Sequence, residues 1–212
     1  MKRPYVVINC AMSADRKIAS PSSKQIRISC EEDIKRMYEL RNESDAVLVG
    51  INTVLLDDPK LTVKEKYVKN PKQPIRIVLD TNCKIPVDSL VVNEAAKTFI
   101  ITAKNCDKVY GKNVEFILCD TDDSGLIDLK KLLDLLFKKD IHKLMVEGGG
   151  TVIWNFLEKG LVDDFFVYID PMTIGGKNTP TIGDGKNFEK FLTLVNTRDI
   201  GPGKLLHYKM IK

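Results

Sequence analysis

Lys143-Leu144-Met145-Val146-Glu147-Gly148-Gly149-Gly150-Thr151 carries a short apolar strand through three glycines directly into a helix. The helix is expected to start near Gly150 and to end before Gly160, where a glycine suits the C′ position. Glycines let a backbone approach a ligand with no Cβ in the way. The free N–H groups and positive end of the following helix attract phosphate. The run is neither the spaced G-x-G-x-x-G fingerprint nor a Walker loop ending in Gly-Lys-Ser/Thr. A tight turn without a ligand is the competing reading. Open α/β sheets take ligands at the carboxyl ends of their strands, where this bend lies, and that favours phosphate binding.

Outward from the bend, short apolar runs recur between polar helical stretches. The expected strands are Tyr5–Ile8, Ala46–Gly50, Ile75–Leu79, Thr98–Thr102, Val114–Leu118, Lys143–Glu147, Phe165–Ile169 and Leu205–Met210. The early ones are continuously apolar, as strands covered on both faces should be. Ser29-Cys30-Glu31-Glu32 has the form of a capping box, opening a helix from Cys30 to about Arg41 with Ile34, Met37, Tyr38 and Arg41 on one face. Asp128 caps a second helix whose Leu129, Leu132, Leu133, Leu136 and Phe137 follow the i, i+3, i+4 rule. Alternating strands and helices imply an α/β protein with helices on both faces of a mostly parallel sheet. Beyond Gly176 the pattern breaks into Gly, Pro, Asn and Asp, then two strand-like runs without a long helix between them. These read as antiparallel C-terminal strands on the same sheet, in one domain spanning residues 1–212.

Two further segments run off predicted strands. Gly50-Ile51-Asn52-Thr53-Val54-Leu55-Leu56-Asp57-Asp58-Pro59-Lys60-Leu61-Thr62 places Thr53, Asp57 and Asp58 close together. Paired acids before a proline also fit plain turn chemistry, and no histidine lies nearby to complete an acid/base or metal site. The first segment, Asn9-Cys10-Ala11-Met12-Ser13-Ala14-Asp15-Arg16-Lys17-Ile18-Ala19, offers small residues against which a flat ring can lie. Glu147 ends its strand beside the glycine bend, able to accept from a ligand's amino or hydroxyl groups, and is the one catalytic candidate. His142 and His207 are the only histidines, which leaves a nucleophilic triad little support.

The 212 residues carry 33 basic and 29 acidic side chains, interleaved, for a net charge of +4. A nucleic-acid binder concentrates its basic residues on a stripe or tail, so an anionic small molecule is the better partner. Five cysteines (Cys10, Cys30, Cys83, Cys106, Cys119) are odd in number and widely spaced. They are read as reduced thiols with no disulfide framework, and no metal site is expected. The start of the chain is too short in apolar residues for a signal peptide, and no stretch approaches the roughly 20 needed to span a bilayer. A cytoplasmic protein without membrane contact is the expectation.

Taken in order, several strings resemble the riboflavin-biosynthesis reductase family, whose domain has the dihydrofolate-reductase-like fold. They are Met12-Ser13-Ala14-Asp15, Arg27-Ile28-Ser29, Arg41, Gly50-x-x-Thr53-Val54-Leu55-x-Asp57-Asp58-Pro59-x-Leu61-Thr62, Pro74-Ile75-Arg76-Ile77-Val78-Leu79-Asp80, and Glu147-Gly148-Gly149-Gly150-Thr151. The resemblance implies a three-layer α/β/α fold and a homodimer. It implies NADPH contacts, with NADH as the alternative, at Ala11, Arg27, Thr53, Asp57, Asp80, Thr81 and Gly148 through Asn155 (Gly149, Gly150, Thr151, Val152, Ile153 and Trp154 between). Substrate contacts would fall on Gln25, Arg41, Leu61, Lys64 and Glu147. The chain resembles the stand-alone type, which implies reduction of 2,5-diamino-6-ribosylamino-4(3H)-pyrimidinone 5′-phosphate at C1′ of its ribose. Dihydrofolate reductase and a non-catalytic NADPH-binding module are the alternatives. Two departures stand out: Arg16 where the family usually has Gly, and Lys64 where bacterial relatives have Arg.

Overall fold

The computed structural model describes residues 2–21, 26–182 and 192–211. In chain order the elements are β1 (Tyr5–Ser13), α1 (Glu31–Asn42), β2 (Ala46–Gly50), α2 (Ile51–Asp57), β3 (Ile75–Leu79), β4 (Thr98–Thr102), β5 (Val114–Leu118), α3 (Leu129–Lys138), β6 (Lys143–Gly148), α4 (Gly150–Glu158), β7 (Asp164–Asp170), β8 (Leu192–Ile200) and β9 (Gly203–Met210). One sheet holds all the strands in the order β5-β4-β3-β2-β6-β1-β7-β9-β8. From β5 to β7 every pairing is parallel. The last two strands add antiparallel, as the change in sequence pattern after Gly176 implies.

Alternation along the strands divides the core in two. Val6, Ile8, Leu48, Ile77 and Val146 face one way, against Leu132, Leu133 and Leu136 of α3 and Ile153 and Phe156 of α4. Val47, Val49, Val78 and Met145 face the other, where Met37 and Leu40 of α1 and Val54 of α2 pack. This is the three-layer α/β/α arrangement. All five residues of β2 are buried, which explains its unbroken apolar run.

Local signals succeed at α3 and α4. The Asp128 side chain accepts from the amides of Lys130 and Lys131, and Gly160 sits just past α4 with φ +64°. At α1 the capping-box reading is corrected. Its N-cap is Cys30, with no side-chain cap, and Ser29 Oγ instead donates to the Asp33 carboxylate at 2.6 Å. Asp33 is buried against Arg36, and that local pair holds the hydroxyl more firmly than a backbone amide would.

The reading of all five cysteines as reduced thiols is also corrected: Cys83 and Cys106 are joined as a disulfide, with Cα atoms 5.9 Å apart. Their 23-residue separation hides the pairing, but β3 and β4 are parallel neighbours, so the loops leaving their carboxyl ends meet. Cys10, Cys30 and Cys119 are free. No helix among the described residues is long and apolar enough to cross a membrane.

Candidate active site

The carboxyl ends of β1, β2, β3 and β6 open into a cavity of about 880 Å³. That is within the range of a cofactor site, roughly 300–1,000 Å³. Its centre is the glycine bend. Gly149 adopts φ +80° and stands at the N-cap of α4, where no side chain among the described residues caps the first turn, so the helix presents its amides to the cavity. The three glycines serve different ends. Only Gly149 needs the left-handed backbone. A Cβ on Gly150 would stand 2.5 Å from the Thr181 carbonyl oxygen, so that glycine admits another stretch of the protein's own backbone. The residues present fit a dinucleotide phosphate: an uncapped nine-residue helix start, a bend without side chains, and Thr53 Oγ1 alongside.

Glu147 reaches the cavity through an irregularity in the sheet. Leu48 pairs with Val146, but Val49 pairs with Gly148, leaving Glu147 as the extra residue of a bulge. Such bulges re-aim a side chain, and this one points the carboxylate at α1. There Arg41 meets it in a bidentate pair, Nε to Oε1 and Nη2 to Oε2, both 2.5 Å, while Nη1 donates to the Thr62 carbonyl at 2.9 Å. Both side chains are about nine-tenths buried. Burial opposes the charge on Arg41, but the attraction and hydrogen bonding of Glu147 outweigh it and hold the guanidinium above its ordinary value. The planar fork fits a carboxylate in a way a lysine cannot.

Most of the residues singled out from sequence converge here. Ala11, Arg27, Thr53, Asp57, Thr81, Gly148, Gly149, Gly150, Thr151, Val152, Ile153 and Asn155 line the cavity, as do Arg41, Leu61 and Glu147. Three do not. Asp80 is buried beneath the loop that follows β3, where Oδ2 accepts from the Ile85 amide at 2.9 Å; alternation turns it from the cavity while its neighbour Thr81 faces in. Trp154 turns off the lining between Ile153 and Asn155. Lys64 lies over the Tyr38 ring, its Nζ 5.7 Å from the centroid, outside the cavity wall. Gln25 lies outside the described residues. Sequence reasoning missed two walls. Pro180 and Thr181 come from the Gly- and Pro-rich segment after β7, read only as a break in pattern. Asp122, Leu126 and Lys159 close the opposite end, Asp122 pairing with Lys159 at 2.9 Å. The turn signal Asp122-Asp123-Ser124-Gly125 was there to find that loop.

The model of the RibD C-terminal domain matches residues 4–206. The chain belongs to the RibD C-terminal domain family. It is 40% identical to the 2,5-diamino-6-ribosylamino-4(3H)-pyrimidinone 5′-phosphate reductase of Archaeoglobus fulgidus, over 95% of each chain. It is 37% identical to the Methanothermobacter thermautotrophicus protein of the same name, over 97% of this chain and 98% of that one. Among solved structures it resembles the deaminase/reductase of Thermotoga maritima, with TM-score 0.84 and 27% identity; it covers 57% of that longer chain and is itself covered to 99%. It also shares its fold with the riboflavin biosynthesis reductase Rib7 of Saccharomyces cerevisiae, with TM-score 0.79 over 99% of this chain and 90% of that one, at 22% identity. These neighbours bear out the dihydrofolate-reductase-like fold class, and the family places the cavity in a reductase domain.

Proposed function

We propose that this chain reduces the ribosyl side chain of 2,5-diamino-6-ribosylamino-4(3H)-pyrimidinone 5′-phosphate to the ribityl form in riboflavin biosynthesis, with NADPH as the reductant and NADH as the alternative. The reading takes residues 1–212 as one cytoplasmic reductase domain that works as a homodimer, with no nucleic-acid or membrane partner. Two archaeal relatives of nearly equal length carry that reductase name, which favours the pyrimidine over dihydrofolate. The single observation that carries the chemistry is the N-terminus of α4, where Gly149 offers no side-chain cap and the helix start opens into a cavity of about 880 Å³.

When bound, the nicotinamide supplies hydride to C1′ of the opened ribose. The chain's own residues bind and orient. The amides at the start of α4 hold the diphosphate, with Thr53, Asp57, Arg27 and Thr81 placed around the rest of the dinucleotide. Arg41 and Glu147 form a rigid, charge-paired wall for the substrate. Both Glu147 oxygens already accept from Arg41, so its role is to accept and position, and no proton is assigned to it. Ile18, Met37 and Leu61 keep water from the reacting atoms.

Purified protein mixed with NADPH and the ribosylaminopyrimidine phosphate should oxidise the cofactor and yield a product heavier by one H2. Turnover of dihydrofolate in its place would move the assignment to that enzyme. Cofactor binding with no hydride transfer to the pyrimidine would make the chain a binding module.

A further inference from the structure

The loop after β1 and the segment after β7 are zipped together over the glycine bend. Ala14 N donates to the Met172 carbonyl at 2.8 Å and Ile18 N to the Pro180 carbonyl at 3.0 Å. Lys17 Nζ reaches the Thr179 carbonyl at 3.3 Å. Between these rungs stands one carboxylate. Asp15 Oδ1 accepts from Ser13 Oγ at 2.6 Å and from the Ile174 amide at 3.1 Å, and Oδ2 accepts from the Gly175 amide at 2.7 Å. The Ser13 hydroxyl, then the Gly175 and Ile174 amides, pull this carboxyl down to about 2, so it is a full anion at any working pH. Beyond Gly175 the segment closes on itself, Thr179 Oγ1 donating to the Gly175 carbonyl at 2.6 Å. It then delivers Thr181 to the face of Gly150, where even a Cβ would meet the Thr181 oxygen at 2.5 Å. Ile18 and Ala19 from the first loop, with Pro180 and Thr181 from the second, form the wall of the cavity at the start of α4.

We propose that Asp15 is a positioning residue whose carboxylate latches the 171–182 strap to the β1 loop, so that the two close together over the cofactor's phosphates and set how long the cofactor stays. The proposal rests on the nicotinamide-dinucleotide reading of the cavity. Asp15 lies outside the lining; it acts through Ile18 and Thr181, and therefore on cofactor retention and not on hydride transfer.

The test is the D15N variant, which keeps the shape of the side chain but presents an amide in place of one acceptor oxygen. Loss of one charge-assisted hydrogen bond corresponds to about a tenfold change in an equilibrium or rate. NADPH dissociation followed by stopped-flow fluorescence should therefore be about tenfold faster in D15N, with KM for NADPH raised alike. Single-turnover hydride transfer at saturating NADPH should stay at the wild-type rate. D15E, which keeps a carboxylate, should recover part of the retention. T179V, which opens the strap's own turn without touching Asp15, should speed dissociation in the same way and serves if D15N does not fold. Wild-type binding of NADPH with unchanged dissociation in D15N or T179V would overturn the latch alone. A slowed single-turnover step with unchanged dissociation would overturn it too. Wild-type protein that binds neither NADPH nor NADH would overturn the reading of the cavity, and the latch with it.

Discussion

The guanidinium of Arg41 and the carboxylate of Glu147 face each other through two hydrogen bonds of 2.5 Å, tying α1 to the bulge at the end of β6. Removing either partner leaves the other's charge buried, which costs about 3 kcal/mol. R41M and E147L should each lose about that much in urea unfolding. The double variant should lose clearly less than the sum, because it leaves no charge stranded. Additive losses would show that the two do not act as a pair. Turnover should collapse in all three variants.

Arg16 holds φ +66°, the left-handed conformation that a glycine adopts freely. A residue with a Cβ holds that conformation at the cost of backbone strain, about 1 kcal/mol. R16G should raise the unfolding free energy by about 1 kcal/mol with cofactor affinity unchanged. A fall in stability would mean that the Arg16 side chain contributes more than its backbone loses.

The Cys83–Cys106 link closes a loop of 23 residues between the ends of β3 and β4. A loop of that size stabilises by about 3 kcal/mol through the unfolded state. Thiol titration of the unfolded, unreduced protein should count the three free cysteines, Cys10, Cys30 and Cys119. C83S/C106S should unfold at lower urea by a margin matching that energy. A count of five free thiols would refute the link.

Asp45 joins three segments. Its Oδ2 accepts from the His142 and Lys143 amides, both at 2.9 Å, and Oδ1 from Lys72 Nζ at 3.1 Å. Burial pushes this carboxyl up, but those amides and Lys72 outweigh it and hold it below the ordinary value of 3.8. A depressed folded-state value means stability that is fully present above pH 3.8 and lost as pH falls toward the folded-state value. Wild-type unfolding free energy should therefore drop on acidification in that window, and D45N should show a shallower drop. Parallel acid profiles for the two proteins would contradict the linkage.

What sequence reveals here depends on how far each feature's cause extends along the chain. β2 and α3 are legible because burial on both faces and a 3.6-residue stripe leave marks within a few residues. α2 is not: it has only seven residues and Gly50 gives its start no side-chain cap, so it reads as a loop after a strand. β8 was legible only as a strand-like run without bounds: most of its residues are exposed on both faces, which blurs the alternation that would fix its ends. The glycine bend was legible from its own residues and its place between a strand and a helix, Thr53 and Asp57 as cofactor contacts only through resemblance. Asp80 and Lys64 show the limit, since a position at a strand end or in a matching string does not say which way a side chain turns. The Asp15 rungs join segments some 160 residues apart, and no local pattern records them.

β1 lies near the middle of the sheet, yet both of its neighbours come much later in the chain: residues 143–146 of β6 on one side and 164–170 of β7 on the other. During synthesis this hydrophobic strand has no lasting partner until well over half of the polypeptide has left the ribosome. Contacts of such long range must be closed against chain entropy, which slows folding and leaves sticky backbone uncovered in the interim. The strand that leads into the Asp15 loop is therefore an early segment to be made and a late one to be secured, and cellular yield should respond to chaperone supply more than the finished enzyme's robustness would imply.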